Sequence, residues 1–305
     1  NNVTNITLPF VGESRTQQTS IAEGYRNHFG YIFGYTKSNS EYVSGSSSVN
    51  TFKLDSSYYS YYYSYDSYYN RSYYYYWTYN IPTSLKTVTI TDANAIGTAA
   101  FNNCRNITKI VLNDGIASVG DYAFRNSGIK DFAIPNSVSS IGKYSFYSCT
   151  GLTEMSIPNG VTTIPEYAFY GCSNIVKLTM SRNTKSIGSY AFNNCSKIGK
   201  LVIPDKTETI GSYAFYGCSS VPEINIPDSV TSIGTYAFSG NTKATKLNIG
   251  SRLKTIPSYV FQNCTGLTSI VVPNTITTIQ NNAFDGCNNV TNITLPFVGE
   301  SRTQQ

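Results

Sequence analysis

A repeat solenoid built mainly from parallel strands is the fold class this sequence predicts, on three observations. A phrase typified by Val230-Thr231-Ser232-Ile233-Gly234-Thr235-Tyr236-Ala237-Phe238 returns nine times. Its Ala-Phe or equivalent pair ends at Phe101, Phe124, Phe146, Phe169, Phe192, Phe215, Phe238, Phe261 and Phe284, with gaps of 23 residues except for one of 22. A fixed period of this size marks units that bury their apolar faces only by stacking on neighbours. Second, a six-residue segment with apolar residues at its first, fourth and sixth positions recurs in each unit, as in Leu152-Thr153-Glu154-Met155-Ser156-Ile157. Third, Asn1 to Gln18 recur letter for letter as Asn288 to Gln305, so a 287-residue unit is followed by the start of another.

Taken in order, residues 1–9 read as the last strand of a preceding unit. Residues 10–80 form an island looped out of the solenoid, rich in Gly, Tyr, Ser and Asn, with an aromatic knot from Phe29 to Tyr35. Within it, Tyr58 to Tyr79 holds thirteen tyrosines and one tryptophan in 22 residues, alternating too loosely to read as a strand. The solenoid fills residues 81–297, and residues 298–305 begin the next island. Nine ordinary coils and one expanded coil per unit would advance about 48 Å at the usual strand spacing.

Each coil divides the same way. The fourth-to-sixth alternation of the first segment predicts a short strand, and stacked copies predict a long parallel sheet. Proline with Asn or Asp then ends the strand, as at Pro158-Asn159 and Pro227-Asp228, because proline offers no N–H to the ladder. A second apolar pair, such as Val230 and Ile233, leads into the Tyr-Ala-Phe corner. Gly142, Gly188, Gly211 and Gly234 stand where a tight backbone turn is expected.

Cysteine follows three residues after the phenylalanine, at Cys104, Cys149, Cys172, Cys195, Cys218, Cys264 and Cys287; Ser127 and Asn241 fill the slot in the other two coils. All three residue types are small donors, as a slot facing buried carbonyls requires. An odd count and substituted slots favour a structural ladder of free thiols over disulfides, and without a CxxC pair no metal site is expected.

The composition is polar rather than charged: 13% of residues are Asp, Glu, Lys or Arg, and the net charge is +5. That balance makes no nucleic-acid footprint. No apolar run is long enough to span a membrane, and Asn1-Asn2-Val3 opens without a secretion signal.

The phrase Ile-Pro-x-x-Val-Thr-x-Ile-Gly-x-Tyr-Ala-Phe-x-x-Cys-x-x-Leu-Thr-x-Ile, seen with small variations around Ile203 to Ile226, resembles the BspA-like, treponemal-type leucine-rich repeat. The likeness covers residues 81–297. It implies a right-handed, curved solenoid of leucine-rich-repeat type with the strand column on the concave side. It also implies display outside a microbial cell and a role in adhesion, and it carries no shared catalytic residues. Departures are local: Ala244 in an apolar strand slot, and Ser181-Arg182 and Gly250-Ser251 in place of Pro-Asn.

Catalysis is not expected, and no cofactor is called for. The lone histidine, His28, has no identifiable nucleophile beside it, and no P-loop, GxGxxG or HExxH spacing occurs. The outward strand positions run Lys109, Asp131, Glu154, Lys177, Lys200, Glu223, Lys246, Ser269 and Asn292, a mixed-sign ladder of the kind that holds strands in register. Of these, Lys177, Lys200, Glu223 and Lys246 are the concave-face candidates for gripping a ligand. The other candidate patch is the tyrosine tract: Tyr58, Tyr59, Tyr61, Tyr62, Tyr63, Tyr65, Tyr68, Tyr69, Tyr73, Tyr74, Tyr75, Tyr76, Trp77 and Tyr79. Tyrosine combines a large apolar face with a polar tip at low conformational cost, which suits recognition.

The expected function is therefore a non-enzymatic extracellular structural or adhesive protein. Tandem units would form a long solenoid or filament that presents Tyr-rich islands. Its partners would be neighbouring copies or tandem units of itself, and host or microbial surface proteins or glycans. The alternative is a discrete surface module binding a protein or glycan on its concave face.

Overall fold

The computed structural model describes residues 3–9, 35–43, 58–66, 71–79 and 81–297, the three middle segments as backbone. From residue 81 onward the chain is a β-solenoid whose described strands are all parallel.

The first strand of each coil follows the apolar pattern. In Glu154–Ser156, Lys177–Thr179, Glu223–Asn225 and Lys246–Asn248 the middle residue is buried and its two neighbours are exposed. Hydrogen bonding along this column comes in blocks rather than in one long sheet. Asn5–Leu8 pairs with Thr87–Ile90, which pairs with Lys109–Val111, and a single bridge joins Lys109 to Asp131. The next block links Glu154–Ser156 to Lys177–Thr179 and, by one bridge, to Lys200. Glu223–Asn225 pairs with Lys246–Asn248, and Ser269–Val271 with Asn292–Thr294.

The breaks have a local chemistry. Where the ladder holds, the N–H of the segment's second residue donates to the second residue of the preceding coil, as in Thr108 to Lys86 (2.9 Å), Val176 to Thr153 (2.8 Å) and Thr245 to Pro222 (2.9 Å). At one break this second residue is Pro222, which has no N–H. At the other two the coil begins Thr-Gly-Leu-Thr, at Thr150 to Thr153 and Thr265 to Thr268. There the glycine is pressed against the preceding coil: a Cβ on Gly266 would lie 2.6 Å from the Ala244 carbonyl oxygen.

A second column of two-residue strands runs beside the first. It links Ala95–Ile96, Ser118–Val119 and Ser140–Ile141, then Thr163–Ile164 through Ser186–Ile187 and Thr209–Ile210 to Ser232–Ile233, then Thr255–Ile256 and Thr278–Ile279. The glycines that follow it do not serve a turn. Gly142, Gly188, Gly211 and Gly234 have no left-handed φ. They stand where coils touch backbone to backbone, so that a Cβ on Gly188 would come within 2.7 Å of the Glu166 nitrogen.

The left-handed positions lie in the corner instead. One is the tyrosine slot, with φ of 57° at Tyr122, 56° at Tyr144 and 59° at Tyr190. The other lies one residue before the cysteine slot and holds Asn103, Asn126, Ser148, Gly171, Asn194, Gly217, Gly240, Asn263 and Gly286. This alternation turns three N–H groups per coil towards the following coil. Tyr190 donates to Ser212, Phe192 to Ala214 and Asn194 to Tyr216, at 2.9, 2.8 and 2.7 Å.

Inside the corner the phenylalanines stack from Phe101 to Phe284, with ring centroids 5.1 Å apart at Phe124–Phe146 and 5.9 Å at Phe238–Phe261. Isoleucine, valine and leucine of both strand columns pack against them.

The tyrosine tract departs from the sequence expectation. Tyr58–Asp66 and Arg71–Tyr79 are paired antiparallel strands, and Tyr35–Val43 flanks Arg71–Tyr79 on the other side. Tyr61 is opposite Tyr76 and Tyr62 opposite Tyr75. Tyrosine has high strand propensity, and aromatic cross-strand pairs favour the sheet. Because aromatics occupy both parities of the tract, the period-two signal that marks a half-buried strand is erased.

Candidate functional site

The outward residues of the first strand column build two open grooves. The larger, about 1160 Å³, lies over the coils bearing Lys177 and Lys200 and is also lined by Val176, Arg182, Val202 and Lys206. Its floor is apolar because Val176 and Val202 are 53% and 56% exposed. Four cationic side chains and the single carboxylate of Asp205 line it. Lys206 Nζ donates to Asn183 Oδ1 at 2.9 Å, and Lys177 Nζ lies 3.3 Å from Glu154 Oε2. The smaller groove, about 660 Å³, runs between Lys130, Asp131, Glu154 and Lys177. It opens at the step where, among the described residues, Glu154–Ser156 has no ladder to the preceding coil.

Of the four concave-face candidates, Lys177 and Lys200 therefore share one groove. Glu223 and Lys246 lie farther along, as register partners, with Glu223 Oε1 accepting from Asn248 Nδ2 at 3.0 Å. Asp131 and Glu154 are engaged by lysines, Asp131 with Lys109 at 3.1 Å and Glu154 with Lys177. The exposed valines were not singled out from sequence. Their signal was there: Val176 and Val202 occupy slots that the preceding coils fill with Thr153 and Thr179.

The cysteine column lies behind this face. All seven cysteines are free, and all but the half-buried Cys287 are buried. Each thiol from Cys149 onward donates to the phenylalanine carbonyl of the preceding coil, as in Cys149 to Phe124 at 2.9 Å and Cys195 to Phe169 at 3.1 Å. Asn241 does the same through Nδ2 to Phe215 at 3.0 Å. Burial pushes the Cys149, Cys218 and Cys264 thiols up to about 12 from 9.0. These are inert protonated donors rather than nucleophiles.

Along the corner the slot tyrosines form a half-buried stack from Tyr122 to Tyr259, with centroids 4.9 Å apart at Tyr122–Tyr144 and 4.6 Å at Tyr167–Tyr190. Tyr147 and Tyr170 stack beside it at 4.7 Å, and the Arg125 guanidinium lies 5.5 Å over the Tyr147 ring. Desolvation, and after it the neighbouring phenol of Tyr190, raises the Tyr167 hydroxyl. Stacked in this way, the rings show edges and hydroxyls to solvent while their faces cover one another.

The tract candidates Tyr58, Tyr59, Tyr61, Tyr62, Tyr63 and Tyr65 lie on one strand; Tyr73, Tyr74, Tyr75, Tyr76, Trp77 and Tyr79 lie on its partner. Tyr68, Tyr69 and His28 fall outside the described residues. Among the described residues no helix is long and apolar enough to cross a membrane.

The family model for the BspA type leucine rich repeat region matches residues 71–199 and 185–301 in six copies. No curated protein matches the chain. Among solved structures, it is similar to a leucine rich cell surface protein of Faecalibacterium prausnitzii at 24% identity and TM-score 0.44, over 72% of this chain and 61% of that one. It thus spans about three-fifths of that relative. A leucine-rich repeat protein of Bacteroides ovatus is similar at 22% identity and TM-score 0.47, over 70% and 73% of the two chains. One from Eubacterium ventriosum is similar at 26% and 0.44, over the same shares. With the family model covering more than half of its length, the chain belongs to the BspA type leucine-rich repeat family.

Proposed function

We propose that the protein is a non-enzymatic, surface-displayed bacterial solenoid whose tandem 287-residue units run on as one long stack, each presenting a tyrosine-rich sheet. The observation that carries this reading is a single pairing. Asn5–Leu8 pairs with Thr87–Ile90 as neighbouring coils do, although the whole tyrosine-rich segment intervenes between them. The identical sequence at Asn292 to Leu295 seats its strand on Ser269–Val271. On this reading one strand type closes a unit and opens another, with the island inserted in sequence between two stacked coils. Weak contacts repeated once per unit would become avid. Family membership supports display on a microbial surface. The test is deletion of Tyr58 to Tyr79, read as adhesion of protein-coated beads and as bundling by light scattering. Loss of both is expected, and unchanged bundling would remove the island's role.

A second reading rests on the larger groove, where Lys177 and Lys200 flank exposed Val176 and Val202. It makes the protein a binding module for an extended anionic ligand. Replacing Lys177 and Lys200 by Glu, with the island intact, would then abolish binding of a poly-glutamate probe; retained binding would exclude the groove.

A further inference from the structure

The strand Asn5–Leu8 and its duplicate at Asn292 to Leu295 use opposite edges of the same sequence. In the duplicate, the Asn292 N–H donates to Thr268 at 3.3 Å and the Thr294 carbonyl accepts from Val272 at 2.9 Å. In the first copy the spent groups are different ones. The Thr4 carbonyl accepts from Lys86 at 2.9 Å and from Thr87 at 3.1 Å; the Leu8 carbonyl accepts from Thr91 at 2.9 Å. Their counterparts, the Thr291 and Leu295 carbonyls, accept no backbone hydrogen bond among the described residues. The two sets do not overlap, so one strand can satisfy both neighbours at once. Ile6 and Leu8 pack against the core, as the strand residues of neighbouring coils do.

The geometry points to a self-docking edge at which Asn292 to Leu295 of one copy takes the place of Asn5–Leu8 in a second copy of this sequence. The register is set by the pairing already present: Asn292 opposite Thr87, Ile293 opposite Val88, Thr294 opposite Thr89 and Leu295 opposite Ile90. The occupant is fixed by letter-for-letter identity with the strand now seated there. The Ser84 hydroxyl, which donates to the Val3 carbonyl at 2.9 Å, would donate to that of Val290. The contact is heterologous, so repeating it lengthens the assembly without closing it. It rests on the tandem-stack reading and extends it to separate chains. Because the resident strand is tethered, it competes at an effective concentration in the millimolar range. Exchange is therefore slight until that strand is loosened.

The test uses full-length chains carrying one added cysteine each. Thr89→Cys in one and Thr294→Cys in the other would face each other across neighbouring strands about 4.8 Å apart, within disulfide reach. In a glutathione redox buffer, a mixed disulfide between the two chains is expected, with none from Thr245→Cys as the control for random collision. Adding Ile6→Asp to the Thr89→Cys chain loosens its resident strand and should raise the yield about tenfold. Ile293→Asp on the Thr294→Cys chain should remove the product. Circular dichroism of each variant checks the fold. No heterodimer above the control, even with Ile6→Asp in a folded chain, would overturn the inference. A two-unit chain imaged by cryo-electron microscopy separates the two ideas: an uninterrupted solenoid in it keeps the tandem stack even if separate chains do not dock.

Discussion

The corner and the first strand column of the same coils are held together in opposite ways. At every step from Tyr122 to Asn282 the corner passes three N–H groups to the following coil, through the tyrosine, phenylalanine and Asn/Ser/Gly slots. The strand column drops its ladder at three steps, ahead of Glu154, Glu223 and Ser269. The corner achieves continuity with conformations that cost energy. A left-handed residue other than glycine costs about 1–2 kcal/mol, and a bulky side chain there is a real outlier. Ring stacking, worth about 0.5–1.5 kcal/mol per pair, and the forward hydrogen bonds offset it. The corner is the spine of the solenoid, and the grooves lie on the face where the ladder is interrupted. Rigidity and access are thereby assigned to different sides of one coil.

This contrast is broken most forcefully by emptying the spine. Phe192 is fully buried between Phe169 and Phe215, with centroids at 5.2 and 5.5 Å. Phe192→Ala should cost about 3–5 kcal/mol, the range for a large buried aromatic, measured by urea unfolding. Val202→Ala on the strand face removes a side chain already 56% exposed and should cost less than about 0.5 kcal/mol. Equal costs would refute the division between spine and face.

The cysteine column gives the next largest effect. Cys195→Ala removes the donor to Phe169 and a single buried atom, so a loss of about 1–2 kcal/mol is expected. Cys195→Asn should retain more stability, because Asn241 already shows that an amide can reach the carbonyl. A pH dependence follows with a definite sign. Unfolded thiols lose their protons near 9.0, whereas Cys149, Cys218 and Cys264 hold theirs to about 12. Above pH 9 the unfolded chain therefore binds fewer protons than the native one, and stability falls as pH rises. Below pH 9 this contribution is fully present. Thermal melts between pH 8 and 11 check it, and iodoacetamide labelling should track unfolding rather than pH alone.

The period, the strand slot and the resemblance to the family were legible because nine copies repeat the same apolar pattern, and repetition averages away local noise. Three features were not. The tyrosine slot gave no hint of a left-handed backbone, since tyrosine rarely adopts one; the clue lay in its substitute Asn282, a residue that tolerates φ of 59°. The glycines read as turn residues because sequence cannot separate conformational freedom from want of space. The ladder breaks are pairwise events between coils, and only Pro222 announces one, by lacking an N–H. The groove was half visible: the lysines stood out as charges, but Val176 and Val202 needed the exposure of their slots to be known.

A missing donor can also be restored to the strand column. Pro222→Thr supplies the N–H that the coils at Thr108, Val176 and Thr245 already use. It should stabilise the chain by up to about 1 kcal/mol, one net hydrogen bond, and slow amide exchange at the 200–223 step. An unchanged exchange rate would mean that the break is set by coil geometry rather than by proline.

The smallest effect on stability should accompany a visible one on binding. The Lys177–Glu154 pair is 70% and 69% exposed at its side chains, so Glu154→Gln should change stability by less than about 0.5 kcal/mol, with the residual falling further in salt. The same change removes the carboxylate that engages Lys177 and leaves the groove over Lys177 and Lys200 more positive. Affinity for a poly-glutamate probe should rise, and the rise should vanish at high ionic strength. Glu154→Gln that leaves both stability and probe binding untouched would show that this face carries register charges only, returning the search for a ligand to the tyrosine-rich sheet.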